Sequence, residues 1–297
     1  MKSNKLTLLV DGENILHQSF HKFERLRSTD GKPSGAIFGF FKSLHMYLTR
    51  FEPDEVIISF DNGHSPFRVE LNPNYKIHRK DISYDRESLQ AQKGIILSIL
   101  GMLRVSYIFD KGKTTNYEGD DFLAKLAIEK SKVGKVILVS SDKDFNQLLI
   151  NKKIKIYNPR KESYVSYHNC SELFGYTPEE TIPYLCMVGD TSDDIPGIKG
   201  IGPVKAKKIL EEHPDFWTYV QTLPKEQQDI LHRNRKLIDL HYFIATFPDV
   251  VIPIKTYKSK DIKLKKFKEI CIEYSFSSFM TNEFMNPFNK LNSNERK

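Results

Sequence analysis

Nine acidic residues stand where they could do chemistry, either directly after a short apolar run or in a tight pair. They are Asp11, Asp61, Glu118, Asp120, Asp121, Asp142, Asp144, Asp190 and Asp193. With no His or Cys in the motifs that carry them, their carboxylates suit hard cations such as Mg²⁺ or Mn²⁺. So many carboxylates in one place repel one another unless cations neutralise them or some stay protonated. These acids therefore predict a metal site, on the condition that the fold gathers them.

Short apolar runs predict the strands that would position these acids. Buried strands are predicted at Leu6–Val10, Val56–Phe60, Val105–Phe109 and Val136–Ser140, with an edge strand at Ile154–Tyr157. Apolar residues at helical spacing predict helices over Ala36–Leu48, Ile95–Leu103 and Phe122–Ala127. This alternation predicts an α/β fold with a mainly parallel central sheet flanked by helices. The carboxyl ends of parallel strands share one edge, so we expect the acids to converge there.

Each acid taken singly has a simpler explanation, because an Asp after a strand commonly caps a turn or a helix. The case for a metal rests on the whole set, which includes the closely spaced acids of Glu118–Asp121 and Asp142–Asp144. Because the acids fall into two groups, we expect two ions about 3.5–4 Å apart. Such a pair stabilises both the attacking and the leaving oxygen in phosphodiester hydrolysis.

The charge of the chain favours a polyanionic partner. Its 297 residues include 45 Lys and Arg against 38 Asp and Glu, which is a formal net charge of +7. A basic balance favours nucleic acid over an acidic membrane, although it says nothing about fold. The hydrophobic fraction of 39% is enough to build a core, which argues against a disordered chain.

Secreted, membrane and disulfide-rich classes are not favoured. The early apolar run Leu8–Val10 ends at Asp11, and nowhere do about 18 apolar residues run together. The three cysteines, Cys170, Cys186 and Cys271, lack the close pairing of a zinc site or a disulfide framework. We therefore expect reduced, partly buried thiols in a cytoplasmic protein.

Beyond about residue 172 the strand pattern stops and helices take over. Thr177–Glu180 has the composition of a helix start, and Ala206–Glu212 and Lys225–Leu240 are also predicted helices. The sequence therefore predicts an α/β domain over residues 1–172 and a helical region over residues 173–297. Seven lysines within residues 255–268 form either a solvated face or a nucleic-acid face, and the Phe- and Asn-rich tail after them has no clear pattern.

A glycine-rich turn, Ile195–Lys205, lies between two predicted helices. It is not a Walker loop, because no Lys-Ser/Thr pair follows its last Gly, and Lys205 stands where a dinucleotide-binding motif has its third Gly. Its glycines would let the backbone approach a phosphate beside a helix N-terminus. The turn therefore predicts sequence-independent binding of a duplex backbone, with a plain tight turn as the alternative.

Residues 67–93 are basic and connect the second predicted strand to the next apolar helix. In isolation such a segment is usually an exposed surface loop. Because it leaves the sheet at the edge that carries the acids, we expect it to pass above the metal site. Its basic and aromatic residues include Phe67, Arg68, Tyr75, Lys76 and Arg79.

Five motifs resemble, in content and order, those of the 5′-nuclease family. This family comprises bacterial and bacteriophage 5′–3′ exonucleases and flap endonucleases, including the nuclease domain of bacterial DNA polymerase I. The motifs are Leu9–Gly12, Ser59–Asp61, Tyr117–Asp121, Ser141–Phe145 and Gly189–Gly197. The resemblance runs from about Leu6 to about Leu210, with a weaker echo near Arg233–Leu240. One small departure is Gly119, where the family usually has Ala.

The resemblance implies a PIN-like fold with a helical arch over about residues 67–93 and a helix-hairpin-helix element over about residues 178–212. It implies a first metal ion held by Asp11, Asp61, Glu118, Asp120 and Asp121, and a second held by Asp142, Asp144, Asp190 and Asp193. In the arch, it implies that Lys76 and Arg79 meet the scissile phosphate, that Arg68 contacts DNA and that Tyr75 stacks on a base. In the hairpin, it implies duplex contacts by Gly200, Gly202 and Lys205 and a bound monovalent cation such as K⁺.

The same resemblance implies a Mg²⁺-dependent 5′–3′ exonuclease and flap endonuclease that acts as a monomer on DNA with 5′ flaps or 5′ ends. RNA primer removal during replication, and therefore RNA–DNA hybrids, would fall within its range. The residues implied in catalysis are Asp11, Asp61, Glu118, Asp120, Asp142, Asp144, Lys76 and Arg79. Two alternatives stay open: a non-catalytic DNA-structure-binding protein of the same fold, and an RNA-cleaving PIN-like nuclease.

Overall fold

The computed structural model describes residues 5–61, 63–77, 85–110, 116–257 and 261–293 of the chain. Its strands are β1 (Leu6–Asp11), β2 (Glu55–Phe60), β3 (Ser106–Phe109), β4 (Lys135–Val139), β5 (Ile154–Asn158), β6 (Ser163–Val165), β7 (Gly189–Asp190), β8 (Ile195–Pro196) and β9 (Ile254–Lys255). Its helices are α1 (Gly12–Lys22), α2 (Gly35–Phe51), α3 (Pro66–Leu71), α4 (Arg86–Met102), α5 (Gly119–Ser131), α6 (Cys170–Phe174), α7 (Thr181–Val188), α8 (Pro203–Glu212), α9 (Phe216–Val220), α10 (Lys225–Ile238), α11 (Leu240–Thr246), α12 (Leu264–Glu273) and α13 (Asn282–Asn292). Short 3₁₀ helices cover Lys143–Ile150 and Ser277–Met280.

The central sheet has the strand order β6-β5-β4-β1-β2-β3-β9. Strands β1 to β5 run parallel, while β6 and β9 pair antiparallel at the two edges. At the centre of the sheet, Leu9 of β1 pairs with Ile57 of β2 on one side and with Leu138 of β4 on the other. The predicted mainly parallel sheet flanked by helices is confirmed.

The central strand is apolar on both faces because helices cover both sides of the sheet. Leu8, Leu9 and Val10 are all fully buried. Side chains alternate between the faces of a strand, so Leu8 and Val10 join the core formed with α1, α2 and α4. Leu9 joins the opposite core, formed with α5. This double burial holds β1, and with it the acid at its end, in one position.

Two edge strands depart from the sequence-based expectations. Ile154–Tyr157 was expected at the edge, but β5 lies inside the sheet because Ser163–Val165 pairs with it. The strand pattern also does not end near residue 172, since Ile254 pairs with Ile108 of β3. Both added strands have only two or three residues, too few for an alternating pattern to stand out.

The tail without a clear pattern packs back onto the α/β core. Phe267 and Cys271 of α12 and Phe288 of α13 are buried in the same core as α2 and α4. Phe279 stacks on Phe38 with ring centroids 5.4 Å apart. The described lysines of the 255–268 run are exposed, which is the arrangement of a helix with one apolar and one solvated face.

The helical part after residue 175 has its own core. It is formed by residues such as Leu185, Ile209, Leu231 and Leu237, which come from α7, α8 and α10.

Within the described ranges, no helix has the length and apolar character needed to cross a membrane.

Candidate metal centre and nucleic-acid interface

Acids from distant parts of the chain lie together at the carboxyl edge of the sheet. Asp11 ends β1, Asp61 follows β2 and Asp142 follows β4 after two residues. Asp120 lies in the first turn of α5. Burial raises the pKa of Asp120 well above its usual value, and repulsion from Asp11, Asp61 and Asp142 adds to the shift. These four carboxylates are therefore close enough to oppose one another's ionisation.

Asp11 is held by both of its oxygens. Its Oδ1 accepts from the backbone N–H of Asn14 at 2.9 Å, which caps α1, and its Oδ2 accepts from Ser140 Oγ at 2.7 Å. The next residue is Gly12, where a Cβ would lie 2.8 Å from Ile58 and Phe60 side-chain atoms. The glycine therefore lets α1 begin directly against β2. Burial raises the pKa of Asp11 to about 7, against the lowering effect of these hydrogen bonds.

Asp61 is held by the start of α5. Its Oδ1 accepts from the backbone N–H of Gly119 at 2.5 Å. A Cβ at residue 119 would lie 2.5 Å from the same oxygen, so Ala there would require Asp61 to rotate away. The glycine at position 119, where the family usually has Ala, therefore leaves room for the Asp61 carboxylate. Burial raises the pKa of Asp61 to about 6, and repulsion from Glu118 contributes.

A second group consists of Asp142, Asp144, Asp190 and Asp193. Asp142 Oδ1 accepts from the backbone N–H of Asp144 at 2.9 Å. Burial raises the pKa of Asp144 well above its usual value, with repulsion from Asp142, Asp190 and Asp193 adding to the shift. Hydrogen bonds from Ser192 and the charge of Lys143, whose Nζ is 3.3 Å from Asp190 Oδ2, overcome burial and lower the pKa of Asp190.

Asp142 connects the two groups. Its charge raises the pKa values of Asp11 and Asp120 on one side. On the other side, Asp193 and Asp190 contribute, after burial, to the raised pKa of Asp142 itself. Removing the charge of this one residue therefore changes the electrostatics of both groups.

The donors of this edge fit hard divalent cations. They are carboxylate oxygens, and repulsion between neighbouring acids adds to the effect of burial in raising the pKa values of Asp11, Asp61 and Asp144. Asp144 Oδ1 is buried and has no hydrogen-bond partner among the described residues. Within those same ranges, no three His, Cys, Asp or Glu side chains form a group that could hold an ion as they stand. The chemistry of the donor set fits a metal, and binding would require the carboxylates to rearrange.

Glu118 accepts three hydrogen bonds through its carboxylate. Its Oε1 accepts from the backbone N–H of Ser65 at 2.7 Å, and its Oε2 accepts from Lys76 Nζ at 2.6 Å and from the Tyr75 hydroxyl at 3.0 Å. Burial alone would raise its pKa, but Lys76 and Arg68 lower the pKa of Glu118 to about 2. This carboxylate is therefore ionised and engaged by a cation of the chain itself.

Lys76 lies between the two groups of acids. Its Nζ is also 3.7 Å from Asp193 Oδ2, and the side chain is almost fully buried. The backbone of Lys76 has a φ of +57°, a left-handed conformation that L-residues seldom adopt. Its N–H donates to the Asp193 carbonyl oxygen at 3.0 Å, which holds this conformation. The chain thus places a lysine ammonium at the centre of the acidic edge.

The structure departs from the expected roles of Arg68 and Asp121. The Arg68 guanidinium is buried and donates twice to the Asp121 carboxylate, at 2.7 Å each, and once to the Leu237 carbonyl oxygen at 3.1 Å. It also lies 4.3 Å from the Phe243 ring centroid. Asp121 is fully buried, and its Oδ2 accepts the Glu118 N–H as well. Arg68 therefore joins α3, α5 and α10 in the interior of the protein, and both oxygens of Asp121 are engaged by Arg68 and the Glu118 N–H.

The structure also departs from the expected role of Tyr75. Its side chain is 5% exposed, and its hydroxyl donates to Glu118. The ring is covered in this structure, and its hydroxyl orients Glu118; stacking on a base stays a prediction. Arg79, with the rest of residues 78–84, lies outside the described residues, so the expected arch over residues 67–93 is described over residues 67–77 and 85–93.

The glycine-rich turn forms an exposed surface between α7 and α8. Strands β7 and β8 make a short hairpin, and Asn234 Nδ2 donates to the carbonyl oxygens of Cys186 and Pro196 at 2.9 Å each. Gly200 has a φ of +81°, and a Cβ at Gly200 or Gly202 would meet no atom within 4 Å. Both glycines and Lys205 are exposed at the start of α8, so the backbone here is open to a large ligand.

Sequence reasoning missed the residues that orient the acids and the hairpin. Ser140 donates to Asp11, and the Ser65 N–H donates to Glu118. Asn234 donates to the hairpin. Ser140 had a signal, because it ends a predicted strand next to Asp142. Ser65 and Asn234 had none, since their partners are 53 and 38 residues away in the chain.

Known families cover almost the whole described chain. Residues 6–175 match the family model described as 5′-3′ exonuclease, N-terminal resolvase-like domain. Residues 176–269 match the model described as 5′-3′ exonuclease, C-terminal SAM fold.

Curated relatives are of two lengths. The 5′-3′ exonuclease of Buchnera aphidicola subsp. Schizaphis graminum is 31% identical, with 90% of this chain and 94% of the relative covered. The DNA polymerase I of Caldicellulosiruptor bescii is 27% identical over 92% of this chain, which spans only 33% of that protein. The chain therefore spans nearly all of the exonuclease and about a third of the polymerase.

Solved structures share the fold. The bacteriophage T5 5′-exonuclease with bound zinc ions has a TM-score of 0.66 at 22% identity, covering 91% of this chain and all of that chain. Flap endonuclease-1 from Methanococcus jannaschii has a TM-score of 0.59 at 16% identity, covering 96% of this chain and 91% of that chain. At these identities the likeness concerns the fold alone.

Proposed function

The chain belongs to the 5′-3′ exonuclease family, and from this premise we propose that it is a metal-dependent nuclease cutting DNA at 5′ flaps and recessed 5′ ends. The observation that carries the proposal is the group of mutually repelling carboxylates at the sheet edge. A protein that only binds DNA gains nothing from such a concentration of negative charge beside a phosphate. Hydrolysis would leave a 5′-phosphate and a 3′-hydroxyl.

Two divalent ions, Mg²⁺ or Mn²⁺, are proposed for this edge. The first would be held by Asp11, Asp61 and Asp120 beside Glu118, and the second by Asp142, Asp144, Asp190 and Asp193. When bound, such ions supply a Lewis acid that activates water and neutralises the charge developing on the phosphate. Asp121 is left out because Arg68 and the Glu118 N–H use both of its oxygens. The zinc-bound T5 exonuclease supports a metal-dependent family.

The residues of the chain prepare this site before any substrate arrives. Ser140 and the Gly119 N–H fix the orientations of Asp11 and Asp61. Lys76 supplies a positive charge between the acid groups, where a scissile phosphate would also lie. We propose that Lys76 exchanges part of its contact with Glu118 for the phosphate and stabilises the charge that develops there.

Lys76→Ala is expected to slow cleavage about 100-fold or more, because it removes the one ammonium that the described structure places between the acid groups. Single-turnover cleavage of a 5′-flap substrate measures the rate, and circular dichroism checks that the fold is intact. Lys225→Ala, at an exposed lysine of α10, is the control and should cleave at the wild-type rate. A wild-type single-turnover rate for Lys76→Ala would remove Lys76 from the mechanism.

The duplex is proposed to bind at the glycine-rich hairpin. Gly200, Gly202 and Lys205 would contact its backbone without reading sequence, and a K⁺ ion would sit on the hairpin carbonyls. Arg79 is proposed to assist Lys76 at the phosphate. We also propose a division of the chain near residue 172, with the hairpin in the C-terminal region; the two family models meet at residues 175 and 176.

The cellular setting is proposed from the kinds of relatives. Several are DNA polymerase I proteins, and others are proteins named 5′-3′ exonuclease. We propose that the protein removes RNA primers and 5′ flaps during replication, as these relatives suggest. We further propose that it acts in the cytoplasm as a monomer. RNA–DNA hybrids would then be substrates beside DNA flaps.

A fluorescent 5′-flap substrate tests the proposed function. We expect cleavage with Mg²⁺, no cleavage with EDTA, and little cleavage of an all-RNA version. Cleavage of the all-RNA substrate in preference to DNA would instead make the protein an RNA nuclease. Tight flap binding with no cleavage under any metal would make it a non-catalytic DNA-binding protein.

A further inference from the structure

A buried lysine at the end of the basic segment over residues 67–93, to which no role is assigned above, contacts the acidic edge. Lys93 lies in α4 and is 4% exposed. Its Nζ donates to the Asp61 backbone carbonyl oxygen at 2.7 Å and to Glu13 Oε2 at 2.7 Å. The same ammonium lies 5.6 Å from the Phe60 ring centroid and 5.2 Å from that of Phe109. A lysine is rarely buried this deeply unless its charge is paired.

The partner of Lys93 is a carboxylate that belongs to neither acid group. Glu13 lies two residues after Asp11, in the first turn of α1. It is close enough to Asp61 for its charge to contribute, behind burial, to the raised pKa of that residue. His17 faces it from the same helix, with Nε2 at 3.5 Å from Glu13 Oε1. An additional carboxylate therefore lies beside the candidate metal ligands, and Lys93 engages it.

We propose that Lys93 is a positioning residue of this nuclease, which fixes the end of β2 at Asp61 and keeps Glu13 out of the metal centre. This inference rests on the proposed function, because it concerns the same site. The lysine acts through its neighbours: it holds a carbonyl oxygen next to one ligand and neutralises a competing carboxylate. Partners of this kind, one layer behind the ligands, commonly change metal affinity or activity when they are removed.

Lys93→Met should separate metal binding from turnover. Without the lysine, Glu13 adds an uncompensated negative charge beside Asp11 and Asp61, so Mn²⁺ should bind the DNA-free protein about threefold tighter. With Asp61 loosened and Glu13 able to compete as a ligand, kcat should fall about tenfold or more. Lost stability alone would not tighten Mn²⁺ binding. Isothermal titration with Mn²⁺ and single-turnover flap cleavage measure the two quantities.

Substitutions of Glu13 test the direction of the charge effect. Glu13→Gln alone removes a negative charge, so Mn²⁺ should bind about threefold more weakly than to the wild type. The double variant Glu13→Gln with Lys93→Met restores the charge balance and should return Mn²⁺ affinity to the wild-type value. If Lys93→Met does not fold, Glu13→Gln still carries the test, since unchanged Mn²⁺ affinity in that variant would overturn the proposal.

Lys130→Met is the matched control. Lys130 of α5 pairs at 2.7 Å with Glu55, which begins β2 at the end opposite to Asp61. This control should keep wild-type Mn²⁺ affinity and cleavage rate. Wild-type affinity and kcat in Lys93→Met, or the same loss of activity in Lys130→Met, would overturn the proposed role. If the wild-type protein failed to cleave any flap, the proposed function would fall, while the Mn²⁺ comparison would still decide the role of Lys93.

Discussion

Asp142→Asn is expected to abolish Mg²⁺-dependent cleavage of a 5′-flap substrate while leaving binding of that DNA largely intact. Asp142 belongs to the second acid group, and its charge also acts on Asp11 and Asp120 of the first. The amide keeps the size of the side chain and can still accept the Asp144 N–H, which preserves the local turn. Only the charge and one carboxylate of the proposed metal site are lost. The loss of rate should be at least about 100-fold, as for removal of a single electrostatic stabiliser in other active sites.

Single-turnover cleavage and fluorescence anisotropy measure these two effects separately. The anisotropy titration is made with Ca²⁺ in place of Mg²⁺, so that binding is measured without turnover. Asp229→Asn is the matched control, because Asp229 is exposed on α10 and pairs only with Lys225 in the described structure. It should behave as the wild type in both measurements. An Asp142→Asn protein that cleaved at the normal rate would show that the metal assignment is wrong.

Arg68→Met is expected to lower the free energy of unfolding by about 3–5 kcal/mol, which is a large part of the total stability of a typical domain. The substitution leaves the Asp121 carboxylate fully buried without its bidentate partner. It also removes the bond to the Leu237 carbonyl oxygen and the contact with the Phe243 ring. Urea unfolding followed by circular dichroism measures the change, with the slope of the transition checked for two-state behaviour.

Two comparisons decide between a structural and a DNA-binding role for Arg68. Changing Asp121 to Leu in the Arg68→Met background should recover part of the lost stability, since an apolar pair replaces an unpaired buried charge. The recovery is only partial because the Glu118 N–H loses its acceptor at Asp121. In buffer without urea, at a temperature where the Arg68→Met variant is folded, its affinity for flap DNA should equal that of the wild type. A large loss of DNA affinity with unchanged stability would instead return Arg68 to the DNA interface.

The main features of the fold could be predicted because they depend on local patterns. Runs such as Leu6–Val10 and Val136–Ser140 are apolar on both strand faces, which indicates a sheet covered on both sides. Once the strands are parallel, topology brings their carboxyl ends to one edge, and the acids after those strands come with them. Convergence of Asp11, Asp61 and Asp142 followed from this reasoning without knowledge of any contact. The strand β9 could not be predicted, because its two residues are too few to show an alternating pattern.

By itself, the sequence determined that Asp11, Asp61 and Asp142 come to the acidic edge, since each follows a predicted strand of a parallel sheet. Only the tertiary structure decided what each of them does at that edge. Arg68 and Tyr75 carry the residue types of a DNA-binding segment, yet both are buried, and they hold Asp121 and Glu118. Lys93 looked like one more basic residue, but packing of α4 places it on Glu13 and the Asp61 carbonyl oxygen. The physical reason is that a buried charge must find a partner, and the partners lie 32 to 169 residues away in the chain.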